Sequence, residues 1–301
     1  MQPQRVPGVL TMAPLPRTYM AMKILILYPL RCGLAVLSLV TSPCAQRSFT
    51  SPSEQGLTTS PAIERRVDSL LLLMTLEEKL GQLNQVSGTW DTVSRRMELT
   101  PIDQRLLREG RVGSILNVIG AEATRRIQRT ALEETRLKIP VLFGLDVIHG
   151  YRTIFPIPLG EAATFDPDLI EQATRVAAVE ATAAGIHWTF APMVDIARDP
   201  RWGRIAEGSG EDPYVGSLLA AARVRGFQGR TFGDRTSLMA CAKHYAAYGG
   251  AEGGRDYNTV DVSERTLREV YLPPFHAAVK AGAGTLMAAF NEVGGVPSSA
   301  S

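Results

Sequence analysis

The chain is poor in cysteine, histidine and net charge, and each shortage removes a class of function. Three cysteines occur in 301 residues, and two of them, Cys32 and Cys44, fall in a segment that reads as a removable leader. Only Cys241 would then remain, so no internal disulfide is expected. The four histidines, His149, His187, His244 and His276, have no short-range ligand spacing, so neither a metal nor another cofactor is expected. The net charge is only +2, with 32 basic and 30 acidic residues interleaved, and no basic stripe offers itself to nucleic acid. Signature turns are missing as well. GxGxxG and GxSxG occur nowhere, and Gly208-Ser209-Gly210 follows no strand directly and lacks a lysine partner for phosphate.

Long hydrophobic runs are also lacking. Arg31 interrupts the apolar stretch that includes Gly33–Val40, leaving it well short of the roughly 20 residues that cross a bilayer, so no stable membrane span is expected. The basic residues Lys23 and Arg31, that short apolar core and the small residues of Thr41–Ala45 instead resemble an export signal over residues 1–45, with translation starting at Met20 or Met22. A Ser/Thr/Pro-rich linker, residues 46–60, follows.

What is present is a β/α succession. Pro61 after Ser60 opens one helix, and the capping box Thr75-Leu-Glu-Glu78 opens a second, whose apolar face is Leu76, Leu80 and Leu83. Five short apolar runs follow, at 112–117, 141–146, 188–195, 238–244 and 285–291, without the alternation of a half-exposed strand, and so they read as strands buried on both faces. Helical patterns separate them, notably 166–185 and 263–282. Polar residues gather where these strands end: Asn117, Asp146, Asp195, Lys243-His244 and Asn291. In a (β/α)8 barrel that end carries the site. An open doubly wound sheet would also place ligands there, but its Gly-rich first turn is absent. The expected fold is therefore α/β, a TIM-type (β/α)8 barrel of which about five strands are visible, so the chain reads as cut short.

The stretch 192–214, PMVDIARDPRWGRIAEGSGEDPY, concentrates carboxylates, arginines and a tryptophan behind an apolar run. Carboxylates and guanidinium forks suit hydroxyls that both donate and accept, and an aromatic face suits a sugar's C–H surface. The same residues would also make a solvated turn full of ion pairs. Asp146 ends a strand and could grip hydroxyls with Arg152 orienting it, or cap the next turn. His149 reads as structural, bonded to backbone. Lys243 and His244 would face opposite ways on an unbroken strand, and a bulge or cis bond would let both point inward. Gly249–Arg255 has four glycines in seven residues, which predicts a mobile loop able to bring Arg255 over a ligand.

Four segments, beginning LDVIHGYRTIFPIPLGEAATFDPDL, APMVDIARDPRWGR, KHYAAYGGAEGGRDYN and LREVYLPPFHAAVKAGAGTLMAAFN, resemble in that order the first domain of glycoside hydrolase family 3, and most closely its periplasmic β-glucosidase branch. The resemblance covers Ile63 to Ser301. It implies that Asp146, Arg152, Arg204, Lys243, His244 and Arg255 contact a non-reducing sugar, with Arg201 structural. Phe290 falls where many members carry tyrosine, which loses a hydroxyl contact. The resemblance also implies that no catalytic residue lies in this chain. The nucleophilic aspartate would end the next strand, and the acid/base carboxylate would come from a second domain, both beyond Ser301 in the missing C-terminal portion of the protein.

The expected protein is the N-terminal part of an exported, periplasmic or secreted, retaining β-glucosidase acting on small β-glucosides or oligosaccharides, inactive by itself. β-Xylosidase or mixed specificity stays open, as does a non-catalytic carbohydrate-binding protein. The β-N-acetylglucosaminidase branch is disfavoured, because Lys243–Gly249 lacks that branch's second histidine. An open-sheet enzyme acting on phosphorylated substrates is the remaining rival.

Overall fold

The computed structural model describes residues 60–92 and 96–300. The leader and nearly all of the linker expected from the sequence lie outside the described residues. Helix α1 (Pro61–Leu73) begins on Ser60, whose side chain accepts from the Ala62 amide, with Pro61 in the first turn. Helix α2 (Leu76–Gly81) is closed by the reciprocal Thr75–Glu78 capping box. Its leucine face does not face a core. Leu76, Leu80 and Leu83 are exposed, while Glu78 and Gly81 are buried, Glu78 accepting from Arg136 Nε at 3.0 Å.

Strand β1 (Gln85–Ser87) follows, then a small antiparallel hairpin of β2 (Thr89–Asp91) and β3 (Arg96–Glu98). Helix α3 (Pro101–Arg108) leads to β4 (Ser114–Leu116), α4 (Ala121–Glu133) to β5 (Leu142–Leu145), and α5 (Pro158–Ala162) with α6 (Pro167–Ala183) to β6 (Trp188–Thr189). Helix α7 (Pro213–Gln228) precedes β7 (Met239–Tyr245). Then α8 (Glu264–Thr266) and α9 (Pro273–Lys280) precede β8 (Thr285–Ala288), and a last hairpin pairs β9 (Glu292–Val293) with β10 (Val296–Pro297).

Strands β1, β4, β5, β6, β7 and β8 pair in that order, all parallel, into one six-stranded sheet with helices between them: part of a (β/α)8 barrel. The sequence reading missed β1. It is three residues long with only Val86 buried, so it gives no apolar run to read. The strand read at 188–195 is also shorter than expected. Pro192 has no N–H to donate, and the chain leaves the ladder after Thr189 while still accepting from the Lys243 amide through the Pro192 carbonyl at 3.1 Å.

The helix read over 263–282 is interrupted for a related reason. Pro273 and Pro274 cannot donate to preceding carbonyls, and α8 runs into a wide turn, Leu267–Tyr271, in which the Leu272 amide reaches Leu267 O at 3.0 Å, before α9 begins. The main core lies between sheet and helices, built on Ile115, Phe143, Ala178, Val224, Leu238 and Ala240. Its alanines on α6 and its glycine on α7 permit close contact: a Cβ on Gly226 would stand 2.6 Å from Glu171 O.

Candidate functional site

Parallel pairing brings the C-terminal ends of β5, β6 and β7 side by side, and with them the polar residues that follow each strand. Asp146 follows β5, and its Oδ1 accepts from Lys243 Nζ at 2.6 Å. The pair is unequal: the Lys243 side chain is 4% exposed, the Asp146 side chain 49%. A buried ammonium is therefore neutralised by a carboxylate that still faces solvent.

Lys243 and His244 are both buried. Between Lys243 and Tyr245 the register against β8 shifts, so the strict alternation of strand faces fails there. The Lys243–His244 peptide is cis. His244 donates its main-chain N–H at 3.0 Å and engages Nδ1 at 2.8 Å with one oxygen of Asp195, Oδ2. Asp195 comes from the segment after β6 and is itself sealed, its side chain 0% exposed.

Arg204 makes a two-pronged pair with Glu207, Nε to Oε1 at 2.7 Å and Nη2 to Oε2 at 2.9 Å, three residues apart. Burial alone would raise the Glu207 carboxyl, but the Arg204 hydrogen bonds and charge outweigh it and hold it below the ordinary carboxylate range. The guanidinium lies 5.5 Å from the centre of the Tyr248 ring. Burial and a hydrogen bond to Asp256 push the Tyr248 hydroxyl well above its usual pKa. Asp256 also accepts from Trp202 Nε1 at 2.9 Å, so one carboxylate ties the Gly-rich segment to the 192–214 loop.

Phe290, half exposed, stands 5.1 Å from His244 and 5.4 Å from both Tyr248 and Tyr257. Tyr257 is exposed too, so an aromatic wall borders the polar groups.

Thus close contacts join Asp146 to Lys243, and His244 to Asp195, Tyr248 and Phe290, with Arg204 over Tyr248. Two expected residues make no hydrogen bond or ion pair with these groups among the described residues. Arg152 does not orient Asp146, whose ion pair among the described residues is with Lys243. The Arg152 and Thr153 amides instead donate to Glu180 at 2.8 Å each, fixing an exposed loop after β5. Arg255 is likewise exposed, at the end of a short turn.

The glycines before Arg255 do not loosen the chain. Tyr248, Gly249, Ala251 and Gly254 are buried, and a Cβ on Gly249 would stand 2.1 Å from Ile196 O. Glycine serves close packing here. His149 accepts a structural part, Nδ1 lying 2.9 Å from Phe155 O. The sequence reading missed Glu207, Tyr248, Asp256 and Tyr257. Only Glu207 carried a signal, its i+3 spacing from Arg204; the others reach the site through tertiary packing.

Beneath the site, Arg223 of α7 donates to Glu161 Oε2 at 3.0 Å, to Pro158 O at 3.3 Å and to Ser209 Oγ at 2.7 Å, with side-chain exposures of 3% and 10% for the ion pair. Among the described residues no group of three His, Cys, Asp or Glu side chains is arranged to hold a metal ion, and no helix is long and apolar enough to cross a membrane. A cavity of about 600 Å³, lined by Leu142, His187 and Met239, lies at the opposite, N-terminal ends of the strands.

Comparison with known proteins follows the same geometry. A periplasmic β-glucosidase of Salmonella typhimurium is 43% identical over 239 residues, covering 79% of this chain and 30% of that protein. A β-xylosidase of Formosa agariphila is 33% identical over 243 residues, covering 78% of this chain and 28% of its own length. The β-glucosidase of Listeria innocua in complex with glucose superposes with a TM-score of 0.72 at 42% identity, covering 78% of this chain and 34% of that one. The chain therefore spans about a third of the length of the relatives it matches. Residues 75–301 match the glycosyl hydrolase family 3 N terminal domain, and the chain belongs to that family.

Proposed function

We propose that this chain supplies the sugar-binding wall of an exported, retaining β-glucosidase acting on non-reducing terminal β-D-glucosyl residues. The observation that carries the reading is the half-open Asp146–Lys243 pair, set beside Arg204, His244 and Phe290 at the C-terminal ends of parallel strands. Hydroxyls of a bound sugar would accept from Lys243 and Arg204 and donate to Asp146, each such charged hydrogen bond being worth about 1.5–3 kcal/mol. Phe290 and Tyr257 would cover its C–H face. Arg152 and Arg255 would act from the rim. Export is supported by the periplasmic Salmonella relative.

The chemistry itself belongs elsewhere in the complete enzyme. Retaining hydrolysis needs two carboxyl groups about 5–5.5 Å apart across the scissile bond, one nucleophilic and one acid/base. The carboxylates near this site are committed: Asp195 to His244, Glu207 to Arg204, Asp256 to Trp202 and Tyr248, and Asp146 to Lys243. Residues outside 60–300 would supply the pair. The β-xylosidase relative supports a second specificity, since a xyloside differs from a glucoside only by the exocyclic hydroxymethyl group.

Hydrolysis of aryl β-D-glucosides and β-D-xylosides by the 301-residue chain, and by a chain extended to the length of its relatives, tests the reading. Turnover is expected only from the extended chain, with the glucoside preferred. Turnover by the 301-residue chain alone would contradict the division of labour.

A further inference from the structure

The Asp195 carboxylate is sealed inside the protein, yet only one of its oxygens is used. Oδ2 accepts both the main-chain N–H and Nδ1 of His244, while Oδ1 is buried with no partner. Leaving a buried carboxylate oxygen unsatisfied costs about 1–3 kcal/mol or more, so a purely structural bond would be an expensive way to hold a ring. The ring is already held on two sides by Tyr248 at 5.1 Å and Phe290 at 5.1 Å. What Asp195 adds is a choice between the two nitrogens. A carboxylate offers no proton, so Nδ1 must carry one. His244 Nε2 makes no hydrogen bond within the described residues and is not among the atoms sealed from solvent without a partner, so in a side chain only 1% exposed it is the nitrogen left for a ligand.

We infer that Asp195 is a positioning residue that locks the proton of His244 on Nδ1 and so presents Nε2 to a sugar hydroxyl. This deepens, and rests on, the sugar-binding reading of the site. The opposite tautomer, with the proton on Nε2, is the one free histidine side chains favour. The lock therefore changes what the site can recognise: neutral His244 accepts from a hydroxyl through Nε2 instead of donating to it. The charged and titratable groups around the pair are Lys243 on the same strand, and Arg204, Glu207 and Tyr248 from the neighbouring segments. None of them bonds to Nδ1.

Nitrogen-15 NMR of labelled histidine in the 301-residue chain reads the tautomer directly and without sugar. The wild type is expected to show His244 with a protonated Nδ1, and Nε2 as the nitrogen that shifts on addition of glucose. Asp195→Ala is expected to move the proton to Nε2 and weaken glucose binding about three- to tenfold, the loss of one neutral hydrogen bond. Asp195→Asn, whose carbonyl still accepts from Nδ1, is expected to restore the protonated Nδ1. The inference is overturned by the Nε2-protonated tautomer in the wild type, or by an unchanged tautomer in Asp195→Ala. Should the alanine variant fail to fold, the wild-type tautomer and the asparagine variant still decide. A protonated Nδ1 with no glucose shift would uphold the lock and contradict the sugar-binding reading, so the two failures are distinguishable.

Discussion

Two ion pairs a short distance apart in the sequence order of the barrel, Arg223–Glu161 and Lys243–Asp146, are built from the same chemistry and differ in one respect. Arg223 and Glu161 are both sealed; the guanidinium's Nη groups also donate to Pro158 O and Ser209 Oγ, while its Nε is buried without a partner. Lys243 is just as buried, but Asp146 keeps half of its side chain in solvent. A sealed pair exposes nothing to a ligand and holds α5, α7 and the 192–214 loop together. A half-open pair holds a charge in place and leaves hydrogen-bonding capacity facing outward. The difference separates scaffold from site more sharply than the mere presence of charge.

The largest effect should come from breaking the sealed pair. Arg223→Met leaves Glu161 buried without its cation, and a loss of about 3–5 kcal/mol is expected in urea unfolding. Adding Glu161→Leu should recover much of it, because a buried ion pair replaced by apolar groups is often close to neutral. Failure of the double variant to recover would mean that Ser209 and Pro158, not Glu161, depend on Arg223.

Gly249 tests whether the Gly-rich segment is packed or mobile. Gly249→Ala forces a Cβ toward Ile196 O and is expected to cost about 1–3 kcal/mol in the same unfolding assay. A neutral result would restore the mobile-loop reading.

For the half-open pair the effect should fall on binding. Asp146→Asn keeps an acceptor for Lys243 but removes the charge that faces the sugar, so glucose affinity should drop about tenfold, with a stability loss clearly smaller than that of Arg223→Met. If the unfolding midpoint falls as far as in Arg223→Met, the two pairs are not different in kind.

The smallest effect concerns acid. Arg201 hydrogen bonds and charge hold the Asp199 carboxyl down to about 2, from an ordinary value of 3.8. Its folded value is depressed, so its contribution is fully present above the unfolded value and is lost as pH falls through the folded one. Glu207 acts in the same direction. Between about pH 4 and pH 2 the 192–214 loop should loosen, read by the Trp202 indole N–H resonance, while the sealed Arg223 contacts persist. Both groups are partly open to water, so the change should be small.

Much of this was legible in the sequence because it rests on local chemistry. Pro61, Thr75 and Asp166 start their helices as their positions predict, and the polar residues ending strands mark the site. What escaped lies where tertiary contacts overrule local pattern. Strand β1 is too short to show a period, the Pro273-Pro274 pair breaks a helix whose caps read as continuous, and Gly249, Gly250 and Gly254 answer to Ile196, Tyr271 and Trp202, which no local rule connects to them. Arg152 and Asp146 sit six residues apart and looked like partners, but Lys243, 97 residues away, takes the carboxylate.

The central claim is that the half-open pair at the strand ends meets the sugar. Glucose titration of the wild-type chain and Asp146→Asn, followed by NMR of Lys243 Nζ and His244, tests it most directly. The account predicts saturable shifts at both groups in the wild type, with affinity about tenfold weaker in Asp146→Asn and an unfolding midpoint that falls less than in Arg223→Met. Equal glucose affinity in the two chains, or shifts confined to residues away from these strand ends, would contradict it.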